Sequence, residues 1–330
     1  MDPVEALRRI AFLLEWRGAS SYRVRAFHTA ADAVRDLPAG PVDAAQVMEL
    51  RGVGPVTADV IAEASAGAVP AYLARLEAES GADAAAGWEL ASASKGDCHV
   101  HSDWSDGGSP IEEMADAARA LGHQWAVLTD HSPRLTIAHG LSPERLRDQL
   151  EVVAAWNARQ DRGFQLLTGI ECDILEDGSL DQEEDLLGRL DVVVASVHSK
   201  LRSESEPMTA RMVAAVRNPH VDVLGHCTGR IVTGRGRPQS SFDAQAVFEA
   251  CAEAGTAVEI NCRPERRDPP DDLLRQAADI GCLFAVDTDA HAPEQLHWQS
   301  SGYARAARIG LGADRLVTAW PLERLREWTG

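Results

Sequence analysis

Six short motifs concentrate imidazoles and carboxylates along the chain. They are His99-Val100-His101, Thr129-Asp130-His131, Gly169-Ile170-Glu171, Ser196-Val197-His198, Gly225-His226 and Asp289-Ala290-His291. Asp106 adds a carboxylate in the loop Trp104-Ser105-Asp106-Gly107. Imidazole with carboxylate suits zinc, manganese or iron, whereas a magnesium site is richer in oxygen and water. The nine donors His99, His101, Asp106, His131, Glu171, His198, His226, Asp289 and His291 exceed the needs of one four-coordinate ion. They suit two or three ions with a carboxylate between them. Five other histidines, His28, His123, His139, His220 and His297, fall outside these motifs and read as surface or packing residues.

Each motif closes a short apolar run. Strands are expected at 96–100, 125–129, 165–171, 192–197, 221–225, 256–261 and 283–287, with helices at about 110–121, 143–160, 208–217, 243–254 and 271–280. Apolar strands alternating with helices imply a parallel sheet covered by helices. Seven such strands suit a closed (β/α) barrel better than an open sheet. All strand carboxyl ends then gather at one face, so donors distant in sequence converge. In a strand, positions i and i+2 share a side, so His99 and His101 can clamp one ion. Cys98, Cys172, Cys227 and Cys262 lie beside inward-pointing residues and are expected to face the helical layer. The six cysteines form no CxxC pair, which argues against a zinc ribbon or a thioredoxin-type motif.

Residues 1–79 read as an all-helical domain. Asp2 is a candidate N-cap, Pro3 suits the first turn, and Ala6, Ile10, Leu13 and Leu14 mark a buried face. Further helices are expected at about 22–36, 43–50, 55–66 and 69–79. Gly52-Val53-Gly54-Pro55 makes a tight hairpin between two of them. Residues 80–95, small and polar, read as a linker to the barrel at 96–330. No apolar run is long enough for a membrane span and no secretory signal is evident, so a cytoplasmic protein without a membrane partner is expected. The net charge of −19 argues against a broad electrostatic grip on nucleic acid.

HxHS, TDH, the GIE glutamate, SVH, GH and DxH, in this order, resemble the PHP (polymerase and histidinol phosphatase) domain. The stretches GDCHVHSDWSDG, HGLSPERL, GIECDILEDGSLD, NPHVDVLGHCTGR and VEINCRPERRD resemble in particular the PHP domain of bacterial family X DNA polymerases. LLEWRGASSYRVRAFHTAADAV and ELRGVGPVTADVIAE resemble the small helix-hairpin-helix domain of those polymerases. The resemblance implies a distorted seven-stranded, TIM-like (β/α)7 barrel carrying three divalent ions, zinc or manganese or both, with iron also acceptable. It groups His99, His101, Glu171 and Asp289 on one ion. Glu171 bridges to a second held by His198 and His226, and Asp106, His131 and His291 hold the third.

The activity implied is metal-dependent phosphate ester hydrolysis, with a hydroxide bridging two ions as nucleophile and His99, His101, Glu171, His198 and Asp289 as the catalytic core. Lys200, Arg202, Arg230 and Arg263 follow strand ends and are candidates for binding substrate phosphate. In the helical domain, Gly52 and Gly54 would let backbone N–H groups approach a DNA phosphate, with Arg23, Arg25 and Arg51 as local cations. No room is left between the two domains for a polymerase palm or fingers. Residues 1–94 contain no lysine for a lyase Schiff base. The leading expectation is an enzyme acting at DNA 3′ ends, as a 3′–5′ exonuclease or a 3′-phosphate-processing repair enzyme, with a separate polymerase or repair protein as partner. The alternatives are a small-molecule phosphatase of histidinol-phosphate type and a non-catalytic DNA-repair adaptor.

Overall fold

Asp2 starts the first helix. Its carboxylate accepts the Glu5 N–H at 2.8 Å and Pro3 fills the first turn, which satisfies a donor the helix leaves open. In the computed structural model, which describes residues 1–35, 37, 40–160 and 163–330, this helix, α1, spans Pro3–Trp16. α2 covers Ser21–Ala33, α3 Ala44–Val47, α4 Pro55–Ser65 and α5 Ala71–Ser92. α1 packs on α2, α4 and α5. Its expected inner face is buried at Ala6, Ile10, Leu13 and Leu14. The helix expected over 22–36 ends at Ala33, and residue 36 lies outside the described residues.

The stretch 80–95, expected as a linker, is helical as far as Ser92. Gly81, at φ 77°, kinks α5. Beyond the kink the alanines favour helix, and the Trp88 ring meets Phe12 edge-on at 5.7 Å. A Cβ at Gly87 would lie 2.8 Å from Trp16 and 2.9 Å from Phe12, so only glycine allows this approach. Small residues thus let α5 close on α1, where composition alone suggests a tether. The helical unit comprises Met1–Ser92 together with Tyr303–Arg308.

The second unit is an α/β fold on a curled parallel sheet. β1 (Trp125–Leu128), β2 (Gln165–Asp173), β3 (Val192–Ser196), β4 (Val223–Leu224), β5 (Ala257–Asn261) and β6 (Phe284–Asp287) lie side by side in chain order, every pair parallel. α6 (Ile111–Ala120) precedes β1. The crossovers carry α7 (Pro143–Asn157), α8 (Glu184–Leu187), α9 (Ser205–Val216), α10 (Ala244–Ala254) and α11 (Asp271–Ile280). α12 (Gln299–Arg308) and α13 (Leu322–Thr329) follow β6.

The described residues form six strands where seven are expected. The remaining candidate, 96–100, lies between β1 and β6, with Val100 bridging Leu128 on one side and Ala290 on the other. Side chains take the backbone donors that a ladder would use. Cys98 N–H donates to Asp287 Oδ1 at 2.9 Å, His99 N–H to Asp97 Oδ1 at 3.0 Å and Val100 N–H to Thr129 Oγ1 at 3.0 Å.

Strand alternation sorts the side chains. Trp125, Val127, Leu167, Val192, Val194, Val223, Ala257 and Ala285 form one buried apolar cluster with Val317, Trp320 and Leu325. Continued toward the strand carboxyl ends, the same alternation reaches His131, Glu171, His198, Glu259 and Asn261. Ala126, Leu128 and Leu166, on the opposite face, pack against Met114 and Ala118 of α6 and Val153 and Trp156 of α7. Cys172 joins the helical layer beside Leu146 and Leu186. Cys98 departs from the expectation and packs in the cluster of Trp125 and Val127, because its segment is not a regularly paired strand. No helix of the described residues is long and apolar enough to cross a membrane.

Candidate metal centre

Glu171, near the end of β2 and 1% exposed, organises the basin above this apolar cluster. Its Oε2 lies 3.3 Å from His99 Nε2, 3.6 Å from His101 Nε2 and 2.8 Å from His131 Nδ1. Its Oε1 lies 3.2 Å from His198 Nε2 and 3.5 Å from His226 Nε2. Asp289 Oδ1 is 3.4 Å from His101 Nε2. At the more open side, Asp106 Oδ1 is 3.2 Å from His291 Nε2 and 3.5 Å from His131 Nε2. His99 and His101 are fully buried, whereas the Asp106 side chain is 37% exposed, so the basin has a floor and a mouth.

All nine donors therefore share one basin. They fall into overlapping groups: His99 with His101 and Asp289; His99 with Glu171 and His226; His131 with Glu171 and His198; and His101 with Asp106, His131 and His291. His101 thus also reaches the mouth group, an overlap the expected partition does not contain.

The chemistry of these donors fits divalent ions. Donors bound tetrahedrally at ~2.0–2.1 Å sit about 3.3 Å apart, close to the spacings around Glu171. Both Glu171 oxygens, His99 Nε2 and both ring nitrogens of His101 are buried without a hydrogen bond, which is costly unless a cation takes their lone pairs. The facing Nε2 atoms of His198 and His226 are 3.2 Å apart. Three imidazoles pair Nδ1 with an oxygen in a hydrogen bond: His99 with Glu259 Oε1 at 2.6 Å, His226 with Glu259 Oε2 at 3.2 Å and His291 with the Asp289 carbonyl at 2.9 Å; His198 Nδ1 stands 3.3 Å from Asp173 Oδ1 without hydrogen-bond geometry. A proton held at Nδ1 leaves Nε2 free to ligate.

The electrostatics are strongly coupled. Burial pushes the Glu171 carboxyl up, but the imidazoles of His131, His99 and His198 overcome it and hold the group well below the usual carboxylate range. Burial opposes charge on His198, yet Glu171 and Asp173 raise it to about 9. His101 goes the other way, pushed well down by burial and by the imidazoles of His291 and His131. Asp289 adopts a left-handed backbone conformation at φ 52°, a strained geometry for a non-glycine residue.

Of the expected phosphate-binding cations, Arg263 reaches the donors. Its Nη1 is 3.4 Å from Asp289 Oδ1 and 3.1 Å from His291 Nδ1, while Nε donates to Glu265 at 3.0 Å. Arg230 instead donates to the carbonyls of Arg266, at 3.0 Å, and Arg267, and so braces the turn after β5. Lys200, at φ 54°, and Arg202 are exposed in the loop after β3. Sequence reasoning missed Arg266, whose Nε lies 3.4 Å from Asp289 Oδ2 and whose buried Nη1 has no hydrogen-bond partner. It also missed Glu259, Asn261 and Asp173. The alternation of polar residues in Val258-Glu259-Ile260-Asn261 was the available signal.

In the helical unit, Gly52 sits at φ 89°, and a Cβ there would lie 2.4 Å from the Thr29 methyl, so the hairpin requires glycine. Gly54 cannot offer its N–H freely, because it donates to Thr57 Oγ1 at 2.9 Å. Arg23, Arg25 and Arg51 are all exposed, and Arg23 is hydrogen-bonded to the Tyr72 hydroxyl.

A parallel α/β sheet with imidazoles and carboxylates pooled at the carboxyl ends of its strands defines a metal-dependent hydrolase. Residues 97–263 match the PHP domain and residues 1–67 a helix-hairpin-helix domain. The chain belongs to the PHP domain family, and with it to the metal-dependent phosphoesterases. It is 40% identical over 216 residues to the DNA polymerase/3′-5′ exonuclease PolX of Bacillus subtilis strain 168, covering 66% of this chain and 37% of that protein. The match thus spans little more than a third of that relative. A "Probable phosphatase" of Thermoanaerobacter sp. strain X514 is 30% identical over 210 residues, covering 59% of this chain and 78% of the relative. The histidinol phosphate phosphatase of Lactococcus lactis, crystallised with zinc, L-histidinol and phosphate, aligns with a TM-score of 0.49 and 20% identity over 66% of this chain and 95% of that one.

Proposed function

We propose that the chain hydrolyses phosphate esters at DNA 3′ ends, as a 3′–5′ exonuclease or a 3′-phosphate-processing enzyme of DNA repair acting in the cytoplasm. The observation that carries this reading is the union, in one chain, of a helix-hairpin-helix domain with the basin around Glu171. The segment through Val100 counts in this reading as the seventh strand of a distorted barrel. The nine donors hold three divalent ions, zinc or manganese.

Such ions, when bound, supply Lewis acidity toward phosphoryl oxygen and an acidified water. The protein's own part is placement. Glu171, His99, His101 and Asp289 line the floor, His198 and His226 flank it, and Asp106, His131 and His291 stand at the mouth. Arg263 and Arg266 bring guanidinium groups beside Asp289, where a phosphate oxygen can be received by charge-assisted hydrogen bonds. Arg25 on α2 and Arg51 beside the hairpin guide the nucleic acid, and a separate polymerase would act on the processed end.

A second reading is a small-molecule phosphatase of histidinol-phosphate type. The net charge of −19 and the engaged Gly54 N–H and Arg23 favour it. The deciding assay compares manganese- and zinc-loaded protein on an internally labelled oligonucleotide and on histidinol phosphate, with a His99→Ala/His101→Ala control. Stepwise loss of 3′ nucleotides, absent in the control, supports the DNA-end reading. Inert DNA with fast release of phosphate from histidinol phosphate replaces it with the second.

A further inference from the structure

β5 is the strand of the sheet to which no metal donor is assigned, yet its inner face is polar. Ala257 joins the apolar cluster, and Glu259 and Asn261, two and four residues on, are fully buried on the same side. Each atom of this pair is accounted for. Glu259 Oε1 is 2.6 Å from His99 Nδ1. Glu259 Oε2 accepts the His226 backbone N–H, lies 3.2 Å from His226 Nδ1 and accepts Asn261 Nδ2 at 3.2 Å. Asn261 Nδ2 also donates to Asp289 Oδ2 at 3.1 Å, and its Oδ1 accepts the Arg263 N–H at 3.1 Å. The amide orientation is therefore set, with nitrogen toward two carboxylates and oxygen toward an N–H.

Glu171 and Glu259 stand in contrast. Both are buried carboxylates on the inner face of the sheet, one on β2 and one on β5, but the Glu171 oxygens have no hydrogen bond while those of Glu259 are saturated by donors. One carboxylate is left for ions and the other is occupied in holding side chains. We propose that β5 is the positioning strand of the metal centre: Glu259 sets the tautomer and ring orientation of both His99 and His226, and Asn261 ties that carboxylate to Asp289. Three donors from three other segments of the chain are thereby held to one strand.

The physical reason is acceptor count. A carboxylate only accepts, so both rings must carry their proton on Nδ1, and both Nε2 lone pairs then turn toward Glu171, 3.3 Å away for His99 and 3.5 Å for His226. A carboxamide of the same shape offers a single acceptor oxygen. Glu259→Gln must therefore release one of the two rings from its Nδ1–H tautomer.

The inference rests on the metal-centre reading of the site but not on any substrate, so its test reads metal and tautomer rather than turnover. The full chain, labelled with 15N-histidine, is titrated with Zn2+ and followed by 15N NMR and by bound zinc per chain. In zinc-loaded wild type, His99 and His226 are expected as Nδ1–H tautomers. In Glu259→Gln, with circular dichroism and metal-free melting retained, one of the two rings is expected to lose that state. Zinc affinity of the weakest ion is then expected to fall about 10–100-fold, the usual effect of removing such a support. Unchanged zinc affinity and unchanged tautomers in the variant overturn the proposal and leave the metal centre standing. Wild-type chain that takes up no zinc overturns both. If the variant does not fold, wild type alone decides, because either ring found as the Nε2–H tautomer overturns the proposal.

Discussion

Glu171 faces five imidazoles, with three at Oε2 and two at Oε1, so the charge on one side chain couples most of the donors. Glu171→Gln keeps the volume and removes the charge. The expected outcome is loss of at least one bound ion per chain, seen by elemental analysis, and a drop of about 100-fold or more in phosphate-ester turnover. Arg263→Ala should act differently. A hydrogen bond to a charged group contributes ~1.5–3 kcal/mol, so KM should rise about 10–100-fold while zinc content is retained. A third residue governs pH dependence away from the site. Burial pushes the Asp222 carboxyl up to about 8 from an ordinary 3.8, opposed only by the Val193 N–H it accepts at 2.8 Å. The folded state then binds a proton that the unfolded state has released, so this residue lowers stability progressively as pH rises from about 4 to about 8 and no further above that. Asp222→Asn should raise the melting temperature at pH 8 and change it little at pH 4; equal shifts at both would exclude Asp222 as the source.

Elements show where local pattern and tertiary context part. The α1 face was legible because one-sided burial leaves a helical period in the sequence, and the β1, β2, β3, β5 and β6 strands because burial on both faces leaves short continuous apolar runs. The segment at 96–100 was legible as a strand by composition, yet its donors go to Asp97, Thr129 and Asp287, side chains far apart in sequence for all but the first. The second half of α5 was misread for the opposite reason: alanine and glycine look like a tether until Phe12 and Trp16 are placed against them. Gly87→Val tests that packing. Overpacking of a tight contact costs ~1–3 kcal/mol, so thermal unfolding should shift down, with the near-UV signal of the tryptophans altered and the zinc content unchanged.

The whole molecule gathers positive ligand demand at one place in an otherwise acidic chain of net charge −19. Buried donors that face one another without hydrogen bonds should make metal removal destabilising. Ions at about 1,000-fold above their dissociation constant add ~4 kcal/mol, so a strong chelator should lower the melting temperature by several degrees, and zinc should restore it. The chain's acidity also predicts that any DNA binding through Arg25 and Arg51 has a shallow salt dependence, a log–log slope of about −1 to −2 for so few contacts. What the sequence by itself determined was the set of nine imidazoles and carboxylates that could ligate, the parallel α/β class and the one face where they meet, because residue type dictates ligand chemistry and strand period dictates side. Only the tertiary structure decided how His101 is shared between floor and mouth, that Arg230 braces a turn while Arg266 reaches Asp289, and that Glu259 lies against His99 and His226 and Asn261 against Asp289. Those outcomes depend on distances between segments up to 190 residues apart, as for Cys98 and Asp287 at 189, and no local periodicity encodes them.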